Sequence, residues 1–112
     1  MQIKEEKIGP VLVLSVSGRV EMLTSPQLKE NIVNHINIGE HQLLFDLFEL
    51  DYISSPGLGI LLYAAKLLQE KKGKMNLCAL KPHIFEVFKI CGFDKVLPIF
   101  QTREEALEAF DR

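Results

Sequence analysis

A chain of 112 residues, 47% hydrophobic and 25% charged, has the balance of one globular domain built on one core, not of a disordered or fibrous protein. A formal net charge of −2 with no basic tract excludes the electrostatic footprint of a nucleic-acid binder. Any bearing on gene expression is therefore expected to run through another protein.

In chain order, "MQIKEEKI" reads as a charged edge strand, and Gly9–Pro10 turns the chain into "VLVLSVSG". This second run, Val11–Ser17, has the Val and Leu content of a buried strand and ends at Gly18. "TSPQLKENIVNHINIG" has helical spacing, with Leu28, Ile32, Val33 and Ile36 on one face, and Gly39 ends it. Ser25 is the expected cap and Pro26 the expected first helical residue. "QLLFDL" is the third strand. A long helix, Gly57–Glu70, follows and is stopped by "KKGK". Its main apolar face is Leu58, Leu61, Leu62, Ala65 and Leu68. Met75–Ala79 is the fourth strand. "PHIFEVFKIC" is a third helix ending at Gly92, with Phe93 placed to clamp onto Phe88. "KVLPIF" is a short strand that Pro98 assigns to a sheet edge. "TREEALEAF" is a last helix opened by a Thr102–Glu105 capping box.

The order ββαβαβαβα predicts an α/β fold over residues 1–112 as a single domain: a mixed, mostly parallel five-stranded sheet with four helices. Val13, Phe45, Leu47, Leu61, Ala65, Leu77, Ile84 and Phe88 are expected in the core. Cys78 and Cys91 stand in apolar segments and read as small packed residues, not as a disulfide or redox pair. His35, His41 and His83 are scattered without other ligands at metal spacing, so neither a metal nor a cofactor is expected. The N-terminal segment lacks an apolar signal core, and the longest strongly apolar stretch, Leu58–Leu68, is too short to cross a bilayer. A cytoplasmic protein is expected.

The stretch "SSPGLG" at 54–59 lies between a strand-like and a helix-like run. It is not a nucleophile elbow, because Ser55 is flanked at the required spacing by Ile53 and Gly57, and Ser54 by Tyr52 and Pro56. It is not a P-loop, since no lysine follows Gly59, and a dinucleotide fingerprint would need glycine where Leu62 stands. Ser55 before Pro56 suffices as a helix cap. The same position, where a strand hands over to a helix N-terminus, also favours an anion or a phosphorylated side chain.

"LLFDLFELDYISSPGLGILL" resembles the strand, D-S-[S/T/A]-G-L-G and apolar helix of the STAS domains that act as anti-sigma factor antagonists. "GRVEMLTSPQLKE" is similar to that family's G-E-[L/I]-D segment and first helix, and "VFKICGFDKVLPIFQTREEAL" to its closing elements. The resemblance implies a STAS-like domain without enzymatic activity. The unphosphorylated form would bind an anti-sigma factor serine kinase of the GHKL type and free the sigma factor. Phosphorylation at Ser55 would reverse this, and a PP2C-type phosphatase would reset it. Gly57, Leu58 and Gly59 match the motif, and Glu21 stands where the family has aspartate. Ser54 replaces the aspartate before the acceptor and is the alternative acceptor, while Pro56 replaces the small residue after it. Partner contacts are expected from Glu21, Thr24, Ser54, Ser55, Gly57, Leu58 and Gly59, with no nucleic acid or membrane insertion. A second class is a non-catalytic STAS subunit of a stressosome-like or lipid-transport assembly, and a small enzyme or nucleotide-binding domain comes last.

Overall fold

The computed structural model describes residues 1–111. Strands β1 (Gln2–Ile8) and β2 (Val11–Val20) form an antiparallel hairpin, closed by Gly9 at φ 57°, where a glycine carries no Cβ penalty. Chain direction is then restored repeatedly by helices. β3 (Gln42–Asp46), β4 (Leu50–Ile53), β5 (Lys74–Cys78) and β6 (Ile99–Phe100) all pair in parallel with their neighbours. The connecting helices are α1 (Ser25–Asn37), α2 (Ser55–Glu70) and α3 (Pro82–Ile90), and α4 (Arg103–Glu108) closes the chain. The sheet runs β1-β2-β3-β5-β6, and β4 pairs with the far end of β2. The fold is thus α/β with four helices and a mixed, mostly parallel sheet.

That sheet holds six strands, one more than the sequence predicts. The run before the serines contains two strands, because a tight turn at residues 46–50 separates β3 from β4. The Phe48 N–H donates to Asp46 Oδ1 (3.1 Å) and the Leu50 N–H to the Leu47 carbonyl (3.1 Å). β6 is shorter than "KVLPIF", since Phe93–Lys95 forms a 3₁₀ turn, but it lies at the edge that Pro98 indicates.

Alternation along the central strands divides the core between the two sheet faces. Leu12, Leu14 and Val16 of β2, Leu43 and Phe45 of β3 and Leu77 of β5 meet Leu28, Ile32, Leu61, Ile84 and Phe88 from α1, α2 and α3. Phe93 packs against this cluster too. Val11, Val13, Leu44 and Cys78 face the other way and are covered by Ala106 and Phe110 at the C-terminal end. The buried Asn76 amide donates to the Ala106 carbonyl (3.0 Å), tying that cover to β5. Of the expected core residues only Ala65 is merely half-buried. At 100° per residue, Gly57, Leu61, Ala64 and Leu68 fall within about 60° of one another, and Ala65 lies to the side of that stripe.

The helix ends obey local rules, with one systematic shift. Gly39 and Gly92 take positive φ and end α1 and α3 as expected. At the end of α2, Lys72 adopts the left-handed conformation while Gly73 donates to the Leu68 carbonyl (2.7 Å). Gly73 is glycine for a different reason: a Cβ there would lie 2.2 Å from the His41 carbonyl oxygen. At the N-termini, α1 and α2 each start one residue earlier than the Ser-Pro pairs predict. Thr24 is the N-cap of α1, and Ser25 is buried inside the helix with its hydroxyl donating to the Met22 carbonyl (3.2 Å). Ser54, not Ser55, is the N-cap of α2. The cause is tertiary, because Ser54 N–H donates to the Val20 carbonyl (2.8 Å) and is held in extended geometry by β2. Thr102 caps α4 as expected, accepting from the Glu105 N–H (3.1 Å).

Candidate functional site: the serine turn at the head of α2

β2 and β4 are parallel neighbours and end side by side, so the segments leaving them are brought together. After Val20 the chain enters a turn over Glu21–Thr24, and after Ile53 it enters Ser54 and α2. The Ser54–Val20 hydrogen bond joins the two segments. Gly57 fastens them further: a Cβ on it would lie 2.8 Å from Cγ1 of both Ile53 and Val20. The helix reaches the strand ends this closely only because residue 57 has no side chain.

The two serines have different environments. Ser54 is half-buried, and its Oγ accepts the Gly57 N–H (3.2 Å), satisfying one of the donors left open at a helix start. Ser55 is the first helical residue and is exposed. Pro56 follows within the first turn, where its missing N–H costs no intrahelical bond. Gly57 and Leu58 are buried, Leu58 at 4% exposure, so both support the site from beneath and neither offers surface. Gly59 is exposed, and a Cβ there would meet nothing within 4 Å.

The adjoining turn is held by its own backbone. Glu21 N–H donates to Thr24 Oγ1 (2.8 Å), and Thr24 N–H (3.1 Å) and Ser25 N–H (2.8 Å) both donate to the Glu21 carbonyl. The Thr24 hydroxyl in turn donates to the Arg19 carbonyl (3.1 Å). Glu21 and Thr24 are thus fixed beside the serine segment, both half-buried. Arg19 lies over the Tyr52 ring, 4.4 Å from its centroid, and pairs with Glu21 (2.8 Å). On the other side of β4, Lys81 pairs with Asp51 and holds its carboxyl below the usual value, while His83 Nε2 meets the Asp51 carbonyl (2.8 Å).

Sequence reasoning missed Met22 and Leu23. They occupy the tip of the Glu21–Thr24 turn and are 74% and 92% exposed. The signal for them was present: two adjacent large apolar residues in a linker that fits neither strand nor helix period. A separate trough of about 550 Å³ lies over the open sheet face, lined by Lys4, Glu6, Ser15, Asp46, Phe48 and Arg103 among others. Arg103 there is satisfied by Asp46 (2.9 Å) and Glu6 (3.0 Å). No group of three or more His, Cys, Asp or Glu among the described residues could hold a metal.

A model of the STAS domain family matches residues 2–106. The chain belongs to the STAS domain family. This STAS domain is 39% identical over 110 residues to BtrV of Bordetella bronchiseptica, a candidate anti-sigma factor antagonist, covering 98% of this chain and 95% of BtrV. Its structure matches that of an anti-sigma factor antagonist from Mycobacterium paratuberculosis with a TM-score of 0.90 and 29% identity, over 99% of this chain and 94% of the other. It shares the fold of Bacillus SpoIIAA in its phosphorylated form, with a TM-score of 0.76 and 21% identity, over 96% of this chain and 98% of the other. No helix among the described residues is long and apolar enough to cross a membrane.

Proposed function

We propose that this STAS domain is a cytoplasmic anti-sigma factor antagonist without catalysis of its own. Its unphosphorylated form binds an anti-sigma factor serine kinase of the GHKL type and releases the sigma factor. That kinase then transfers the γ-phosphoryl of ATP to Ser55 Oγ, with loss of the hydroxyl proton and departure of ADP. A PP2C-type phosphatase hydrolyses the ester and restores binding. The observation that carries the assignment is the division of labour between the serines: Ser54 Oγ is engaged as the helix cap, whereas Ser55 is exposed on the first turn. Ser54 stands where the family motif has aspartate, and the cap position suits either residue. A phosphate on Ser55 adds a charge of roughly −1.5 to −2 beside the positive end of the α2 dipole, which tolerates it. The cost falls instead on the partner, whose surface must accommodate the new charge.

The test is incubation with the cognate kinase and ATP, phosphosite mapping by mass spectrometry and calorimetric titration. Ser55→Ala should bind the kinase and resist phosphorylation, and Ser54→Ala should still be phosphorylated. Ser55→Glu should bind at least about tenfold more weakly, near 1.4 kcal/mol. A label on Ser54, or wild-type affinity for Ser55→Glu, overturns the assignment.

A further inference from the structure

We infer that Met22 and Leu23 are the apolar anchors of the kinase interface, and that Gly59 is the clearance that lets the kinase close over the head of α2. The inference rests on the function proposed above and adds the residues that decide which kinase is accepted.

Transfer of a phosphoryl group in line to Ser55 requires the kinase's nucleotide to reach bonding distance of that hydroxyl. Whatever stands around Ser55 is then covered by kinase. The Glu21–Thr24 turn stands there, because it begins one residue after Val20, whose carbonyl holds Ser54 and whose side chain abuts Gly57. The turn is fixed through Glu21, Thr24 and Ser25, and the Ser25 hydroxyl donates to the Met22 carbonyl (3.2 Å). Its two tip side chains are therefore offered to solvent on a rigid backbone. Neither belongs to a core cluster, so the fold gains little from their being large and apolar. Rigid apolar groups that bind without loss of backbone freedom have the properties of interface anchors. Ile53 and Leu58, the apolar residues flanking the serines in sequence, are excluded from this role by their burial.

Gly59 carries the same message from the helix side. Its φ is not in the left-handed region and nothing within 4 Å forbids a Cβ, so the free protein has no need of glycine there. Glycine is unfavourable within a helix, yet residue 59 is a glycine at an exposed position one turn from Ser55. Close approach of a partner's backbone is the use that remains for it.

The test titrates the unphosphorylated protein into its ADP-loaded cognate kinase. Leu23→Ser and Met22→Ser should each weaken binding at least about tenfold, and Gly59→Ala should weaken it while the protein remains folded. Ile38→Ser and Ile90→Ser, which remove similarly exposed apolar side chains elsewhere, serve as controls and should bind within about twofold of wild type. All five variants should keep cooperative thermal unfolding: Met22, Leu23 and Ile38 lie outside the helices, Ile90 is the exposed last residue of α3, and Gly59→Ala favours α2. If wild type binds and the Met22 and Leu23 variants bind equally well, the anchors are refuted and the kinase-binding reading stands. If wild type itself fails to bind, that reading falls and the anchors fall with it.

Discussion

Replacing Gly57 and Gly59 separately by alanine makes the same chemical change on one helix, two residues apart, with opposite expected signs. At Gly57 the added Cβ meets Cγ1 of Val20 and Cγ1 of Ile53 at 2.8 Å. Both contacts are branch atoms of stiff β-branched side chains, so relief requires α2 to lift from the strand ends. Overpacking of this kind costs about 1–3 kcal/mol, against a helix-propensity gain of at most about 1 kcal/mol for Gly→Ala. With two such contacts the cost falls in the upper half of that range, about 2–3 kcal/mol, and the expected net is a loss of about 1–2 kcal/mol. At Gly59 the propensity gain stands alone, and a stabilisation of about 0.5–1 kcal/mol is expected. Urea titration followed by circular dichroism resolves both signs, and thermal midpoints should move by roughly 4–8 °C per kcal/mol. The same lift would stretch the Gly57 N–H to Ser54 Oγ cap, so Gly57→Ala should also slow phosphorylation of Ser55. A Gly57→Ala protein as stable as wild type would refute the close packing of α2 on β2 and β4, and with it the placement of the serines.

Phe88 is fully buried among the three helices' core, so Phe88→Ala should cost about 3–5 kcal/mol in chemical denaturation; a loss below about 1 kcal/mol would mean that α3 does not pack on the sheet through this residue. Glu5 on β1 is held below its ordinary pKa first by its hydrogen bond from His35 and then by that from Asn31, joining the edge strand to α1. A depressed carboxylate stabilises the folded state above its unfolded pKa and loses that contribution as pH falls through the folded value. Glu5→Gln should therefore be less stable than wild type at neutral pH, by less than about 1 kcal/mol at so exposed a pair, and the gap should close below pH 4.5; a gap unchanged from pH 7 to pH 3 would contradict the pairing. Burial pushes the Cys78 thiol up to about 12, whereas Cys91 is exposed, so a thiol reagent should label Cys91 rapidly in the native protein and Cys78 only on unfolding. Equal labelling rates would show that the cover over Cys78 is not in place.

Strand and helix periods, together with Gly39 and Gly92 as stops, were enough to set out five of the six strands, the four helices, the hairpin and the parallel crossovers. These signals are local. The motif around Ser55 was legible for a similar reason, since a strand running into Ser-Pro-Gly can do little but start a helix. Other features depended on residues distant in sequence. β4 was missed because a strand of four residues, following β3 after a tight turn, has no period of its own; its pairing with the end of β2 creates it. That pairing also takes the Ser54 N–H, which moves the start of α2 back by one residue and leaves Ser54 as cap and Ser55 exposed. Leu58 and Leu23 show the same division. Both are leucines beside a turn, and only the approach of α2 to the strand ends, permitted by Gly57, buries the first, while the closed Glu21–Thr24 turn leaves the second in water. Sequence by itself determined which residues would gather near the serines, through the order and direction of the strands. Tertiary structure decided which of them face outward, because exposure is set by what packs behind each residue and not by the residue itself.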